Sequence, residues 1–270
     1  MLDFVFNIEE ILNDFFDYIY TGLVGFLSEL FTMIDGLGVA VFKYDWIKGI
    51  IQFFSYFGWA MFTVGFIIAV FELTIEMQNG KGSFKDIFLN IIKGFMATSL
   101  FTVLPIELYS FAIFIQGSLS QDIIGLYETE GVGALGTAVL TSLVGILNPA
   151  SGVVGVFLLI FFVVMIGYAM LKVFFANIKR GGILLILIAV GSLYMFSVPR
   201  GYVDGFVGWC KQVIALCLTA FLQTLILTVG LLTINENILI GLGLMLSATE
   251  VPRIAGHFGL DTTTKNNLGS

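Results

Sequence analysis

The chain has 270 residues, of which 58% are hydrophobic and 11% are charged, and its net charge is −7. A soluble globular domain carries about 25% charged residues, so this composition excludes one and indicates a protein that lies mostly within a membrane. The 12 Lys and Arg residues are too few and too scattered to form a surface that grips nucleic acid.

The apolar residues form long uninterrupted runs, which are typical of transmembrane helices and not of the alternating strands of a membrane barrel. We therefore predict an all-α, polytopic integral membrane protein with about five transmembrane helices and an N-terminal amphipathic helix. The transmembrane domain is predicted over 50–250. Its spans are predicted at about 50–73, 87–116 (interrupted at Pro105), 153–175, 183–199 and 207–234.

An apolar hairpin over 153–199 is the centre of this prediction. Two long runs without a charged residue are joined by a connector at 177–182 that ends in two glycines. A connector this short makes the two helices antiparallel neighbours. Lys172, Lys179 and Arg180 crowd the connector, and short loops rich in Lys and Arg stay in the cytoplasm, so these three residues are predicted to set the topology.

The regions outside the spans are predicted from their charges. In 1–49, apolar residues recur at helical spacing with acids between them, which predicts an extracytoplasmic amphipathic helix that lies on the membrane surface or packs on a partner. The loop 117–151 has no Lys or Arg and is therefore expected outside. Within it, 132–147 either spans, re-enters or lies outside the membrane. Residues 251–270 are predicted to form a polar cytoplasmic tail.

A count of basic residues supports an N-terminus outside and a C-terminus in the cytoplasm. With five spans, eight Lys and Arg residues fall inside and four fall outside. The inner set is Lys81, Lys85, Lys93, Lys172, Lys179, Arg180, Arg253 and Lys265, and the outer set is Lys43, Lys48, Arg200 and Lys211.

Two features of the spans are candidate sites. Glu107 lies inside the second span, where a carboxylate is either a proton or ion site or reaches the water interface and is simply hydrated. Gln212, Thr219 and Gln223 share one face of the fifth span. Such a polar stripe either lines a passage or bonds to neighbouring helices.

The sequence offers no chemistry for catalysis. It contains no nucleophile–base pair, phosphate-binding loop or cysteine cluster, and His257 is its only histidine. Cys210 and Cys217 lie about 10 Å apart on one predicted helix, which is too far for a disulfide. We therefore expect no enzymatic activity, no cofactor and no metal site.

The arrangement resembles the TrbL family, the polytopic inner-membrane subunits of bacterial type IV secretion and conjugation machines. The residues that carry the resemblance are the fifth span with its leading tryptophan, from Trp209 through Gln212 to Thr224, and the outer loop 117–151. The resemblance implies an oligomeric channel or scaffold subunit in the bacterial plasma membrane, which assists the transfer of a DNA–protein substrate.

The resemblance also implies the partners. The N-terminal helix would dock on neighbouring machine subunits, and substrate would meet the outer loop with its three acids Asp122, Glu128 and Glu130. Copies of the chain itself and membrane lipid are further expected partners, whereas nucleic acid is not expected to bind directly through a basic patch.

A self-contained small-solute or proton-coupled transporter, with Glu107 as its titrating group, is the alternative. Carriers usually contain paired repeats with broken helices and several buried polar groups. No clear internal repeat is visible in the sequence, which favours the secretion subunit. A membrane anchor for an extracellular complex is a third possibility.

Overall fold

The structure, a computed structural model, describes residues 41–80, 82–125, 153–234 and 236–257. Within these ranges every regular element is a helix and no strand occurs. The α-helices are α1 (Asp45–Gln78), α2 (Phe84–Leu100), α3 (Val103–Gly125), α4 (Val153–Tyr194), α5 (Asp204–Ile234), α6 (Ile238–Ala248) and α7 (Val251–His257). Short 3-10 helices lie at Val41–Lys43 and Val198–Arg200.

The all-α, polytopic membrane fold is confirmed. Three described segments are long and apolar enough to cross a membrane, namely α1, Ile160–Arg200 and α5. Helices α2 and α3 pass the same test together, and they supply a fourth span if the bent pair counts as one. Residues 1–40 of the predicted amphipathic region lie outside the described residues, and residues 45–49 already belong to α1. Of the predicted tail 251–270, residues 251–257 form α7, and the remainder lies outside the described residues.

The predicted hairpin over 153–199 is wrong. Its connector continues as helix, so α4 is one helix of 42 residues. Two polar side chains of the connector bond to each other within one helical turn, since Arg180 Nη1 donates to Asn177 Oδ1. Each helical glycine costs about 1 kcal/mol relative to alanine. Burial of apolar side chains on both sides of the glycines, such as Met170 and Leu184, outweighs this cost.

The predicted second span is also divided differently. Helix α2 ends at Leu100 and α3 begins at Val103, with a bend of 53° between them. The predicted interruption at Pro105 thus lies slightly too late. Pro105 occupies the first turn of α3, where its missing N–H costs nothing because first-turn donors have no helical acceptor.

The described residues form two compact units. Unit 1 contains residues 115–125, 153–176, 221–234 and 236–251, and unit 2 contains residues 41–80, 82–114, 177–220 and 252–257. Helices α4 and α5 each contribute one part to unit 1 and another part to unit 2.

In unit 1, α6 folds back on the end of α5. The side chain of Asn237 begins α6, since its Oδ1 accepts from the backbone N–H groups of Leu239 at 3.1 Å and Ile240 at 3.2 Å. A Cβ on Gly241 would lie 2.8 Å from the carbonyl oxygen of Gly230. Only glycine allows the two helices to approach so closely.

In unit 2, α4 and α5 pack around Trp209. This side chain is 3% exposed, and its Nε1 donates to the carbonyl oxygen of Leu187 at 2.7 Å. Gly191 lies against the indole ring, where a Cβ would be only 2.9 Å from Cε2. The tryptophan therefore joins the two helices by both packing and a hydrogen bond.

Candidate functional site

Two polar clusters lie in unit 2. The first, the Arg180 cluster, contains Arg180 and Asn177 of α4, Tyr109 of α3 and Cys217 of α5. All four residues are buried, at 4% exposure or less. Asn177 accepts a hydrogen bond from Arg180, and the side chains of Tyr109 and Cys217 lie within electrostatic range of the guanidinium. A buried arginine in a transmembrane bundle is costly and therefore marks a functional candidate.

The Tyr109 hydroxyl makes this cluster unusual. Tyr109 is completely buried, and among the described residues its hydroxyl oxygen has no hydrogen-bond partner. Such a group costs about 1–3 kcal/mol in a native structure. The residue that α3 contributes to the Arg180 cluster thus carries a polar group whose hydrogen-bonding capacity is not satisfied.

The second cluster, the Arg200 cluster, contains Arg200, Glu72 of α1 and Asn90 of α2. The Nε of Arg200 lies 3.1 Å from Oε1 and 3.3 Å from Oε2 of Glu72, and Nη2 lies 2.5 Å from Oε1. The guanidinium also lies over two aromatic rings, with centroid distances of 5.1 Å to Phe196 and 5.2 Å to Tyr202.

A glycine fixes the turn that presents Arg200. Gly201 has φ of +91°, a left-handed conformation that other residues rarely adopt. A Cβ there would also lie 2.9 Å from Nδ2 of Asn90. A cavity of about 200 Å³ opens beside this turn, and Glu76, Asp86 and Arg200 are among its lining residues.

The position of Arg200 corrects the predicted topology. The prediction placed Arg200 outside and the turn after α1, with Lys85, inside. Glu72 lies less than two helical turns before the end of α1, so its ion pair holds Arg200 at the same end of unit 2 as that turn. The error follows from the hairpin, because a second crossing between 153 and 199 moved Arg200 to the opposite face.

One comparison with known proteins gives a match. The family described as conjugal transfer protein TrbL matches residues 1–270 of the chain. The chain belongs to the TrbL family. Searches of curated proteins and of solved structures give no match. Membership makes the chain a subunit of a conjugative type IV secretion system that lies in a membrane and works with other machine subunits. The family is a structural one and is not known as an enzyme family.

In this TrbL protein the predicted polar stripe of α5 divides between the two units. Gln212 is half-buried and Thr219 is buried in unit 2, where the Thr219 hydroxyl donates to the carbonyl oxygen of Leu216 at 3.1 Å. Gln223 belongs to unit 1, and its Nε2 donates to the carbonyl oxygen of Ala248 at 3.0 Å. Two of the three side chains of the stripe, those of Thr219 and Gln223, thus donate to backbone carbonyls of their own chain.

Among the predicted acids, Glu107 is the one whose side chain the structure describes. Glu107 is exposed on α3. Asp122 lies near the end of α3, and its side chain is outside the described part of the structure. Glu128 and Glu130 lie outside the described residues, so the predicted substrate-contact loop stays a prediction.

The three residues predicted to set the topology lie within α4. Lys172 is exposed, with its Nζ 4.8 Å above the ring of Tyr168, and Lys179 is exposed as well. Arg180 is buried. They share a helix, but Arg180 faces the interior while the two lysines face outward.

Sequence reasoning missed the Arg200 cluster and Tyr109. Glu72 and Arg200 are 128 residues apart, and no local spacing reveals such a pair. The signal that was available is the presence of a glycine after Pro199-Arg200, which is typical of a sharp turn. Within the described residues, no group of three or more His, Cys, Asp and Glu is placed to hold a metal.

Proposed function

We propose that this TrbL-family chain is a channel or scaffold subunit that assembles with copies of itself and with other subunits in the bacterial plasma membrane. In that assembly it assists the passage of a DNA–protein substrate. The face that carries Lys85 and Arg200 is cytoplasmic and Tyr44 is extracytoplasmic, because basic residues favour the inner side. In this orientation α1, the α2–α3 pair, α4 and α5 are four crossings, so the chain after α5 lies outside, and α6, with 11 residues, is too short to cross back. We therefore place the tail outside, against the cytoplasmic tail predicted from the sequence.

The observation that carries the proposal, beyond membership in the family, is the direction of the polar side chains. Asn177, Arg180, Thr219 and Gln223 are at most 4% exposed within one chain. Side chains buried in this way cannot line a passage on the surface of the single chain, whereas the exposed lysines of α4 and α5 point outward. A passage for a large substrate would therefore lie between chains, where several copies meet.

Exposed aromatic side chains support an assembly of this kind. Tyr56, Phe71, Phe114 and Phe157 are each more than 60% exposed in the single chain. Lipid covers some of this area in a membrane, and neighbouring subunits cover the remainder.

The alternative, a carrier that titrates Glu107, gains no support from the geometry. The Glu107 carboxylate is exposed, and within the described ranges it has no ion-pair or hydrogen-bond partner. A carrier site would enclose its titrating group among buried polar side chains. The carboxylate is better explained by hydration at the water interface.

The oligomeric mass of the purified protein in mild detergent tests the proposal. We expect a closed assembly of several copies with a central axis in single-particle images. A stable monomer that restores transfer in a strain lacking the gene would contradict the proposal.

Gln223→Leu tests whether the polar stripe of α5 packs the helices together or lines a passage. The substitution leaves the Ala248 carbonyl buried without its donor, which costs about 1–3 kcal/mol. We expect a lower unfolding temperature and a transfer frequency that falls only as far as the amount of protein in the membrane. Gln212→Leu, at a half-buried position of the same helix, is the control and should change little. Lost transfer at normal stability and amount would indicate a passage instead.

A further inference from the structure

Two adjacent glycines, Gly181 and Gly182, lie in the middle of α4, and the packing around the second one does not require a glycine. Gly182 is helical, has no positive φ and is exposed, and nothing lies within 4 Å of where its Cβ would be. Neither a tight turn nor a close approach therefore explains this residue. The property that remains is the freedom of the backbone, and sharp bends of helices occur at such glycine pairs.

The turn before the glycines is held firmly. Asn177 and Arg180 are buried and hydrogen-bonded to each other across one helical turn. On the other side of the pair, Leu184 and Ile188 are completely buried. A rotation of the backbone at either of these flanking turns would break buried contacts, so bending concentrates at the two glycines between them.

The length of α4 gives a reason for it to bend. Its 42 residues extend about 63 Å, whereas the hydrocarbon core of a bilayer is about 30 Å thick. A straight helix of this length would fit within the core only at a tilt of about 60°, beyond the usual range of 0–40°. A straight α4 must leave the hydrocarbon at one end, whereas a bent α4 can keep more of its apolar length inside.

We propose that Gly181–Gly182 is a hinge at which α4 exchanges between the continuous helix and a bent form, and that transfer requires this exchange. The hinge lies directly after the Arg180 cluster, so the hydrogen bond between Arg180 and Asn177 stabilises the helical turn from which the bend starts. Hinges of this type absorb a large change of φ and ψ in very few residues.

Gly182→Ala tests the hinge, with Gly208→Ala as the matched control. Gly208 lies in α5, is also exposed and likewise has nothing within 4 Å of its Cβ position. Alanine favours the helical backbone more strongly than glycine does. Gly182→Ala should therefore shift the exchange about fivefold toward the continuous form. We expect the transfer frequency to fall by up to about fivefold in this variant, with normal amounts of protein in the membrane, and to stay unchanged in Gly208→Ala.

A distance measurement tests the hinge without relying on the proposed function. Spin labels at the exposed positions Val164 and Ile186 would be about 33 Å apart along a continuous helix. We expect two populations in liposomes, one near this distance and one shorter, and we expect Gly182→Ala to deplete the shorter one. A single unchanged population in both proteins would overturn the hinge, and normal transfer by Gly182→Ala would overturn its role in transfer.

Discussion

The Glu72–Arg200 ion pair provides the sharpest test of how unit 2 is held together. Glu72→Gln and Arg200→Gln, made singly and together, form a double-mutant cycle that isolates the coupling between the two side chains. Their side chains are 35% and 22% exposed, respectively, so solvent screens the pair only in part. Exposed ion pairs contribute about 0.2–1 kcal/mol and hydrogen bonds to charged groups about 1.5–3 kcal/mol. We expect a coupling of about 1–2 kcal/mol, between these limits.

Thermal unfolding in mild detergent, followed by tryptophan fluorescence, measures this coupling. For a chain of this size, each kcal/mol lowers the unfolding temperature by about 2–4 °C. The control is the Asp45–Lys48 pair at 2.9 Å on α1, whose side chains are 96% and 60% exposed. Its coupling should be clearly smaller, because solvent screens a pair as exposed as this one. Strictly additive effects of the two Arg200-cluster substitutions would refute the reasoning.

Three further predictions follow from single residues. Asn237→Ala removes the cap of α6 and should destabilise the protein by about 1 kcal/mol in the same unfolding assay, whereas the neighbouring Glu236→Ala should not. Gly191→Ala places a methyl group against Trp209 and should cost about 1–3 kcal/mol, and an unchanged unfolding temperature would contradict the contact. Glu107→Gln should leave the transfer frequency unchanged, because the exposed carboxylate is hydrated; a large loss would restore the carrier hypothesis.

The sequence allowed the fold class to be predicted because long apolar runs are sufficient evidence of membrane helices. The predicted spans at 50–73 and 207–234 fall within α1 and α5, where apolar residues outnumber polar ones along the whole length. Pattern alone failed where a polar segment continues a helix. Arg180 looks like a loop residue in sequence, but burial and its bond to Asn177 keep it in α4.

The candidate site was less predictable than the fold. The Arg200 cluster depends on the meeting of α1, α2 and the turn after α4, and such long-range contacts leave no local periodicity. The rule that basic loops are cytoplasmic is sound, but its application depended on the number of spans. One false crossing was enough to place Arg200 and Lys85 on opposite faces.

Site-directed labelling of single cysteines tests most directly the central claim that α4 crosses the membrane once. In a protein whose Cys210 and Cys217 are replaced by alanine, cysteines would be introduced at the exposed positions Tyr44, Asn79 and Tyr202. A membrane-impermeant maleimide added to whole cells should label the cysteine at position 44 and spare those at positions 79 and 202. Labelling of positions 79 and 202 from opposite sides of the membrane would contradict the account and restore the hairpin.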